Sequence, residues 1–188
     1  DLAGKIPILL ETYTKRAMDL SELNALLGLP VPDLVKICSD LSQAGNLVML
    51  PAPSPILVLP QIVESLKKET LAQVSDFHKE NPLQKGISKE ELRKRLYDDL
   101  PLEVFRYCLD GLAEKRKLAF MEEAVSLHGR EVQLSAAGQQ LRERIEAFFL
   151  KAGYQTPSFS DLQSSIDADP EELRRIFFWM IKEKILVK

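Results

Sequence analysis

The sequence is poor in the residue types that catalysis, metal binding and extracellular stability require. Its 188 residues include two histidines and two cysteines, and no pair of them has the spacing of metal ligands. Two cysteines do not make a disulfide framework, so we expect a reducing, cytoplasmic environment, with Cys38 and Cys108 buried as small apolar side chains. The eight glycines are scattered and form no phosphate-binding loop. We therefore expect no enzymatic activity, metal or cofactor in these residues, and we expect His78 and His128 to be solvated.

Long apolar runs and an excess of positive charge are also absent. No run approaches the roughly 20 residues that cross a bilayer, and no secretory segment begins the chain, so we expect no membrane partner. Residues 1–60 carry 4 basic and 6 acidic side chains, residues 61–134 carry 13 and 14, and residues 135–188 carry 8 and 8. This balance argues against strong nonspecific nucleic-acid binding, which needs many uncompensated cations. Because the chain begins without methionine, we expect a fragment of a longer protein.

The sequence does contain an internal repeat. Residues 19–23 (DLSEL) have the same pattern as residues 158–162 (SFSDL), 139 positions later. The apolar positions that follow keep this displacement, pairing Leu34 with Leu173, Ile37 with Ile176, Leu41 with Met180 and Leu47 with Leu186. A third copy lies between them, 71 positions after the first, at Phe105, Cys108, Leu112 and Leu118. Such a repeat indicates one small supersecondary unit that is used several times.

Each copy is predicted to form three helices followed by a β-hairpin, which is the winged-helix plan. In the first copy we predict helices over residues 6–13, 20–27 and 33–43, and strands over 47–50 and 56–59. In the second, helices cover 61–80, the segment after Ser88 and 101–114, with a wing over 118–127. In the third, helices begin at 135, near 158 and at 170, and only one wing strand, 185–188, is present. Ser88 with Glu91 should form a capping box, and Pro101 should take the first helical position.

The predicted fold class is therefore mostly α with small β-hairpin wings. It consists of tandem winged-helix units, each a three-helix bundle plus a wing, in an extended array. The boundaries are residues 1–60 for unit 1, 61–133 for unit 2 and 134–188 for unit 3, which lacks its second wing strand.

Three clusters of basic residues are candidate contacts with a nucleic-acid backbone. They are Lys85, Lys89 and Arg93 in one cluster, Lys115, Arg116 and Lys117 in a second, and Arg174, Arg175, Lys182 and Lys184 in a third. In helix-turn-helix proteins the second helix of the motif enters the major groove, and here that is the third helix of each copy. In the first two copies those helices are poor candidates for reading bases, because Lys36 and Arg106 are each accompanied by acids. Phe178 and Trp179 are expected to pack on a neighbouring unit or partner.

One stretch resembles a known family. Residues 77–95 (FHKENPLQKGISKEELRKR), with their Asn-Pro-Leu, Gly and Lys-Glu-Glu-Leu-Arg pattern, resemble the second winged-helix unit of bacterial SelB, the selenocysteine-specific elongation factors. Residues 157–159 (PSF), 169–173 (DPEEL) and 185–188 (ILVK) resemble the following unit. The resemblance covers essentially the whole chain and is weakest in residues 1–60.

The resemblance implies a part in decoding UGA as selenocysteine. Members of this family have an N-terminal GTPase portion that carries selenocysteinyl-tRNA, followed by four winged-helix units, the last of which binds a hairpin in the selenoprotein mRNA. This chain matches the first three units, so GTP, Mg²⁺ and the hairpin contacts belong to portions outside it. We expect a monomeric, cytoplasmic fragment that links the GTPase to the hairpin-binding unit. Through the full-length factor it would work with the ribosome and tRNA, and its basic clusters would contact RNA backbone.

Two other functions remain compatible with the sequence. A tandem winged-helix regulator that binds DNA would need basic third helices, and the near-neutral units count against it. A protein-interaction scaffold would leave apolar surface exposed around Phe178 and Trp179.

Overall fold

The computed structural model describes residues 2–13, 15–153 and 157–186. The first module contains α1 (Leu2–Thr12), β1 (Met18–Asp19), α2 (Leu20–Leu27), α3 (Val31–Gln43), β2 (Val48–Leu50) and β3 (Ile56–Val58). The second contains α4 (Pro60–Glu80), β4 (Ile87–Ser88), α5 (Lys89–Leu96), α6 (Leu102–Glu114), β5 (Leu118–Met121) and β6 (Ala124–Leu127). The third contains α7 (Ala136–Ala152), α8 (Phe159–Ser165) and α9 (Pro170–Lys182). The predicted class, mostly α with small antiparallel wings, is confirmed.

The chain divides into two compact units. One comprises Asp1–Glu80 and Lys85–Arg130, and it holds the first and second modules together. The other comprises Asn81–Gln84 and Glu131–Lys188, and it holds the third module. The finer division into winged-helix units at residues 1–60, 61–133 and 134–188 stays a prediction.

Local sequence signals explain where the helices begin and end. Asp19 caps α2 by accepting a hydrogen bond from the Glu22 backbone N–H at 2.9 Å, and the Glu22 carboxylate returns a contact to the Asp19 N–H. Such a capping box satisfies two of the donors that a helix start leaves unpaired. Gly28 then ends α2 in the left-handed conformation.

The second module departs from two predictions about caps. Ser88 caps α5 by accepting from the Glu91 N–H, but the Glu91 carboxylate pairs with Arg95 one turn later, so only half of the predicted capping box forms. Pro101 was predicted to be the first helical residue, but it is the N-cap of α6, which begins at Leu102.

The two wings of the first compact unit are three-stranded, which the sequence analysis did not predict. The strand orders are β1-β3-β2 and β4-β6-β5, and all neighbouring strands are antiparallel. The added strands, β1 and β4, contain two residues each and pair through Met18 with Leu57 and Ile87 with Val125. A strand of two residues is too short to show an alternation of apolar and polar side chains in the sequence. Its extended conformation depends on pairing with a neighbouring strand in the folded protein.

The strand β3 is buried on both faces. Leu57, together with the adjacent Leu59, packs into the core of the first module, whereas Ile56 and Val58 pack into the core of the second. Neighbouring residues of a strand point to opposite faces, so this alternation places the wing of the first module between two cores. Helix α6 contacts both β2 and β3 across this joint.

A polar contact accompanies the apolar joint between the first and second modules. The Arg16 guanidinium lies 2.7 Å from the Asp99 carboxylate and donates to the Leu96 carbonyl at 3.1 Å. This hydrogen bond and charge lower the pKa of Asp99. The pair is partly exposed, so it contributes little beyond orientation, and the burial of β3 supplies most of the stability of the joint.

The third module packs around an aromatic cluster. Phe177 stacks on Phe149 at 5.8 Å between ring centroids and also contacts Phe159 at 5.3 Å. The helices α8 and α9 begin near residue 158 and at residue 170, as predicted. Ser158 caps α8 with a reciprocal capping box, and Asp169 caps α9 with Pro170 at its first position. Of the predicted strand over residues 185–188, Ile185 and Leu186 lie in a bend after α9, and Val187 and Lys188 lie outside the described residues.

Candidate nucleic-acid interface

The first basic cluster is only partly brought together by the structure. Lys89 begins α5, and its ammonium donates to the Glu122 carbonyl at 2.8 Å while lying 5.5 Å from the ring centre of Phe120. Arg93 follows one helical turn later and is exposed. Lys89 and Arg93 line one groove, whereas the exposed Lys85 is not among the residues that line it.

This groove lies between α5, α6 and β5 and has a volume of about 530 Å³. We call it the α5–α6 groove; its lining residues are Lys89, Glu90, Arg93, Leu102, Phe105, Arg106, Leu109, Asp110 and Phe120. Arg106 thus joins Lys89 and Arg93, although the sequence analysis dismissed it because Glu103 and Asp110 share its helix. The i, i+4 spacing of Lys89 and Arg93 was a sequence signal, but only the packing of α5 on α6 adds Arg106.

The second basic cluster lies where α6 meets its wing. Lys115 is the C-cap of α6, Arg116 follows in the left-handed conformation with φ of 52°, and all three side chains of the cluster, including Lys117, are exposed. The backbone N–H of Lys117 donates to the Leu112 carbonyl at 2.9 Å, which is the long hydrogen bond of a Schellman motif. Cations at this position also stabilise the negative end of the helix dipole.

The third basic cluster is spread along and beyond α9. The Arg174 guanidinium lies 5.7 Å from the ring centre of Phe159, and the exposed Arg175 lines a shallow depression with Glu172. Lys182 is the last residue of α9, and Lys184 adopts φ of 58°. The four cations therefore do not converge on one site.

The three modules end their third helices in the same way. Gly45, Arg116 and Lys184 all have positive φ, at 76°, 52° and 58°. The following residue in each case donates to a carbonyl five positions earlier, as Asn46 to Leu41, Lys117 to Leu112 and Ile185 to Met180. These are the 71-residue and 139-residue displacements of the sequence repeat, so the repeat extends to backbone geometry.

His78 and the two cysteines are buried, whereas His128 is exposed. The prediction that His78 is solvated is wrong: it is 3% exposed, and its Nε2 accepts a hydrogen bond from the Leu127 N–H at 3.3 Å. Burial, together with the nearby positive charge of Arg130, lowers the pKa of His78. Burial likewise raises the pKa of the Cys38 and Cys108 thiols, which keeps them protonated and unreactive. The wing covers the end of α4, and this tertiary contact is invisible in the sequence around His78.

Motifs that bind phosphate groups or metal ions were also sought in the sequence and among the described residues. The sequence contains no glycine-rich phosphate loop followed by Lys and Ser or Thr. Among residues 2–13, 15–153 and 157–186, no group of three or more histidine, cysteine or acidic side chains is placed to hold a metal ion. In the same part of the chain, no helix combines the length and apolar character that crossing a bilayer requires.

Comparison with known proteins finds similarity to one family of elongation factors. Residues 71–127 match a family model whose description is "Elongation factor SelB, winged helix". The model represents the second winged-helix domain of SelB. The selenocysteine-specific elongation factor of Desulfomicrobium baculatum is 18% identical over 127 residues, which are 68% of this chain and 20% of that protein. The match thus spans about a fifth of the relative's length. The resemblance to the winged-helix region of SelB that the sequence indicated is thus confirmed, with the family-model match confined to residues 71–127.

Proposed function

We propose that the three modules are a connecting region of a selenocysteine-specific elongation factor. They would hold a GTPase portion that carries selenocysteinyl-tRNA at a defined distance from a unit that binds the mRNA hairpin during UGA recoding. The ribosome, the tRNA, GTP and Mg²⁺ would be engaged by the full-length cytoplasmic factor, and this region would act as a monomer.

The observation that carries the proposal is the double burial of β3. In winged-helix proteins that bind nucleic acid, the wing and the third helix are free to contact the ligand. Here the wing of the first module lies between two cores, and α6, the third helix of the second module, contacts β2 and β3. Both elements are therefore used to join modules, which favours a connecting role over a DNA-reading one.

The charge on the third helix of the first module supports the same conclusion. Helix α3 carries Lys36 between Asp33 and Asp40, and a duplex backbone would meet two carboxylates for each cation there. Nucleic-acid affinity rises with the number of phosphates neutralised, so we expect the modules to bind RNA weakly and with strong dependence on salt.

Hairpin binding tests whether recognition lies in these modules. Fluorescence anisotropy of residues 1–188 with a labelled selenoprotein mRNA hairpin should give weak binding that a scrambled hairpin reproduces. Binding in the nanomolar range that distinguishes the two hairpins would overturn the proposal.

A replacement experiment tests the connecting role in the full-length factor. Replacing the three modules with a flexible Gly-Ser linker should leave GTP hydrolysis and hairpin affinity unchanged, while a UGA reporter should lose selenocysteine insertion. A linker is flexible and cannot hold two sites at a fixed distance. Retained insertion would show that the modules do not need to be rigid.

One observation favours a scaffold as the second candidate. Phe178, in the third module, is 54% exposed and stacks on Phe159 at 6.1 Å between ring centroids. If this surface binds a protein, Phe178→Ser should abolish recovery of that partner by pull-down with the full-length factor while leaving hairpin affinity unchanged.

A further inference from the structure

We propose that the α5–α6 groove binds one unpaired nucleotide of an RNA strand, an inference that rests on the proposed RNA-contacting role of the modules. The floor of the groove is apolar and accessible. Leu102 is 37% exposed and Phe120 is 41% exposed, with Phe105 and Leu109 buried beneath them. The volume of about 530 Å³ lies in the range of small-ligand sites, which suits a base with its sugar.

The rim of the groove supplies charge of the sign that a phosphate needs. Arg93 and Arg106 are exposed on adjacent helices, and the described residues form no ion pair with either guanidinium. A guanidinium binds phosphate oxygens through paired hydrogen bonds, so both are available for a backbone. Lys89 is already held by the Glu122 carbonyl, and its remaining N–H groups can donate.

The aromatic residue in the groove favours a base over a simple anion. The ring of Phe120 is held near the Lys89 ammonium at 5.5 Å, and its exposed part faces the groove. Bases stack on aromatic side chains with little dependence on sequence. Glu90 and Asp110 at the rim can accept hydrogen bonds from exocyclic amines, whereas they would repel the closely spaced phosphates of a duplex.

The first module lacks the same chemistry at its equivalent positions. The second helices of these two copies are displaced by 69 positions, as Leu23 to Leu92, which pairs Asn24 with Arg93. The displacement of 71 positions in the following segment pairs Val35 with Arg106 and Met49 with Phe120. These side chains carry no charge and no aromatic ring. The second module therefore has a groove whose cations and ring are not needed to build the winged-helix fold.

Binding of short strands to the full chain tests the site. The probes are a fluorescein-labelled decaribonucleotide of mixed sequence, the DNA strand of the same sequence and the blunt RNA duplex, each measured by anisotropy over a range of salt. We expect the RNA strand to bind more tightly than the duplex, and comparison with the DNA strand shows whether the 2′-hydroxyl contributes.

Three variants separate stacking, charge and folding. Phe120→Leu should weaken binding of the RNA strand roughly ten-fold, whereas Phe120→Tyr should bind like the wild type, because an aromatic face is needed for stacking. Arg93→Ala with Arg106→Ala should reduce the salt slope by about 1.4, since each phosphate contact with a single strand contributes about 0.7. The matched control, Lys115→Ala with Lys117→Ala, removes two exposed cations outside the groove and should have a smaller effect.

The outcomes distinguish this site from the proposed function. RNA binding that is lost with Lys115 and Lys117 but unchanged in the groove variants would overturn the groove and leave the connecting role intact. No binding of any RNA probe would overturn both the groove and the RNA-contacting role. Tighter binding of a labelled acidic peptide than of the RNA strand, with the same sensitivity to Phe120→Leu, would also overturn the nucleotide assignment.

Discussion

Replacing Arg116 with glycine should stabilise the first compact unit, although it removes a surface cation and shortens a side chain. Arg116 occupies the left-handed position of a Schellman motif with φ of 52°. A residue with a Cβ pays roughly 1–2 kcal/mol for this conformation. Glycine also lowers the free energy of unfolding by roughly 0.4–1 kcal/mol, because it gives the unfolded chain more conformational freedom. The net gain should therefore be about 0.5–1 kcal/mol.

Urea unfolding followed by circular dichroism measures this gain. With a slope of about 2 kcal/mol per molar urea, the midpoint of Arg116→Gly should rise by about 0.3–0.5 M. The matched control is Lys115→Gly, which removes the same charge one residue earlier, where φ is −77° and glycine relieves no strain. That variant should lose about 0.5–1 kcal/mol.

The equivalent position of the third module provides an independent test. Lys184 has φ of 58°, and Trp179, the single tryptophan of the sequence, lies in the same compact unit. Lys184→Gly should therefore raise the midpoint seen by tryptophan fluorescence. Equal destabilisation by Arg116→Gly and Lys115→Gly would refute the argument, because it would mean that the left-handed backbone carries no strain.

Three further predictions concern buried contacts of the second module. Gly86→Ala should lower the free energy of unfolding by about 1–3 kcal/mol, because its Cβ would lie 2.4 Å from a carbonyl oxygen of β6; an unchanged urea midpoint would contradict this close approach. The lowered pKa of His78 means that the unfolded chain binds its proton more readily, so stability should be full above about pH 6.5 and fall below it. His78→Gln should flatten that slope in urea titrations at pH 5.5 and 7, whereas the exposed His128→Gln should not. Tyr97→Phe should cost about 1 kcal/mol in thermal unfolding, since the buried hydroxyl lies 2.7 Å from that of Thr70, and an unaltered Tm would exclude this hydrogen bond as a stabilising contact.

The helices were predictable from the sequence because they depend on local signals. The sequence predicted α2 over residues 20–27 and the start of α9 at residue 170, and both agree with the structure. The strands β1 and β4 were missed because two residues carry no periodic pattern. The run Ile56–Val58 did hold a usable signal, since consecutive apolar residues are typical of a strand covered on both faces.

The candidate site was predictable only in part, for a physical reason. Lys89 and Arg93 share one helix, so their spacing alone brings them to one side. Arg106 and Phe120 come from a different helix and a strand, and their approach depends on how α6 and β5 pack against α5. Arg106 was discounted from the sequence because Glu103 and Asp110 lie on the same helix. In the folded protein it also lies beside Lys89 and Arg93 of α5, and the sequence of α6 does not reveal this.

The double burial of β3 also determines where this protein can be divided in the laboratory. The repeat suggests cutting at Pro60, between the first and second modules, but such a cut would separate Ile56 and Val58 from the helices that cover them. Each half would then display a freshly exposed apolar face, and we expect both to aggregate when expressed alone. Within the first compact unit, the smallest piece suitable for separate expression is therefore the pair of modules and not a single repeat.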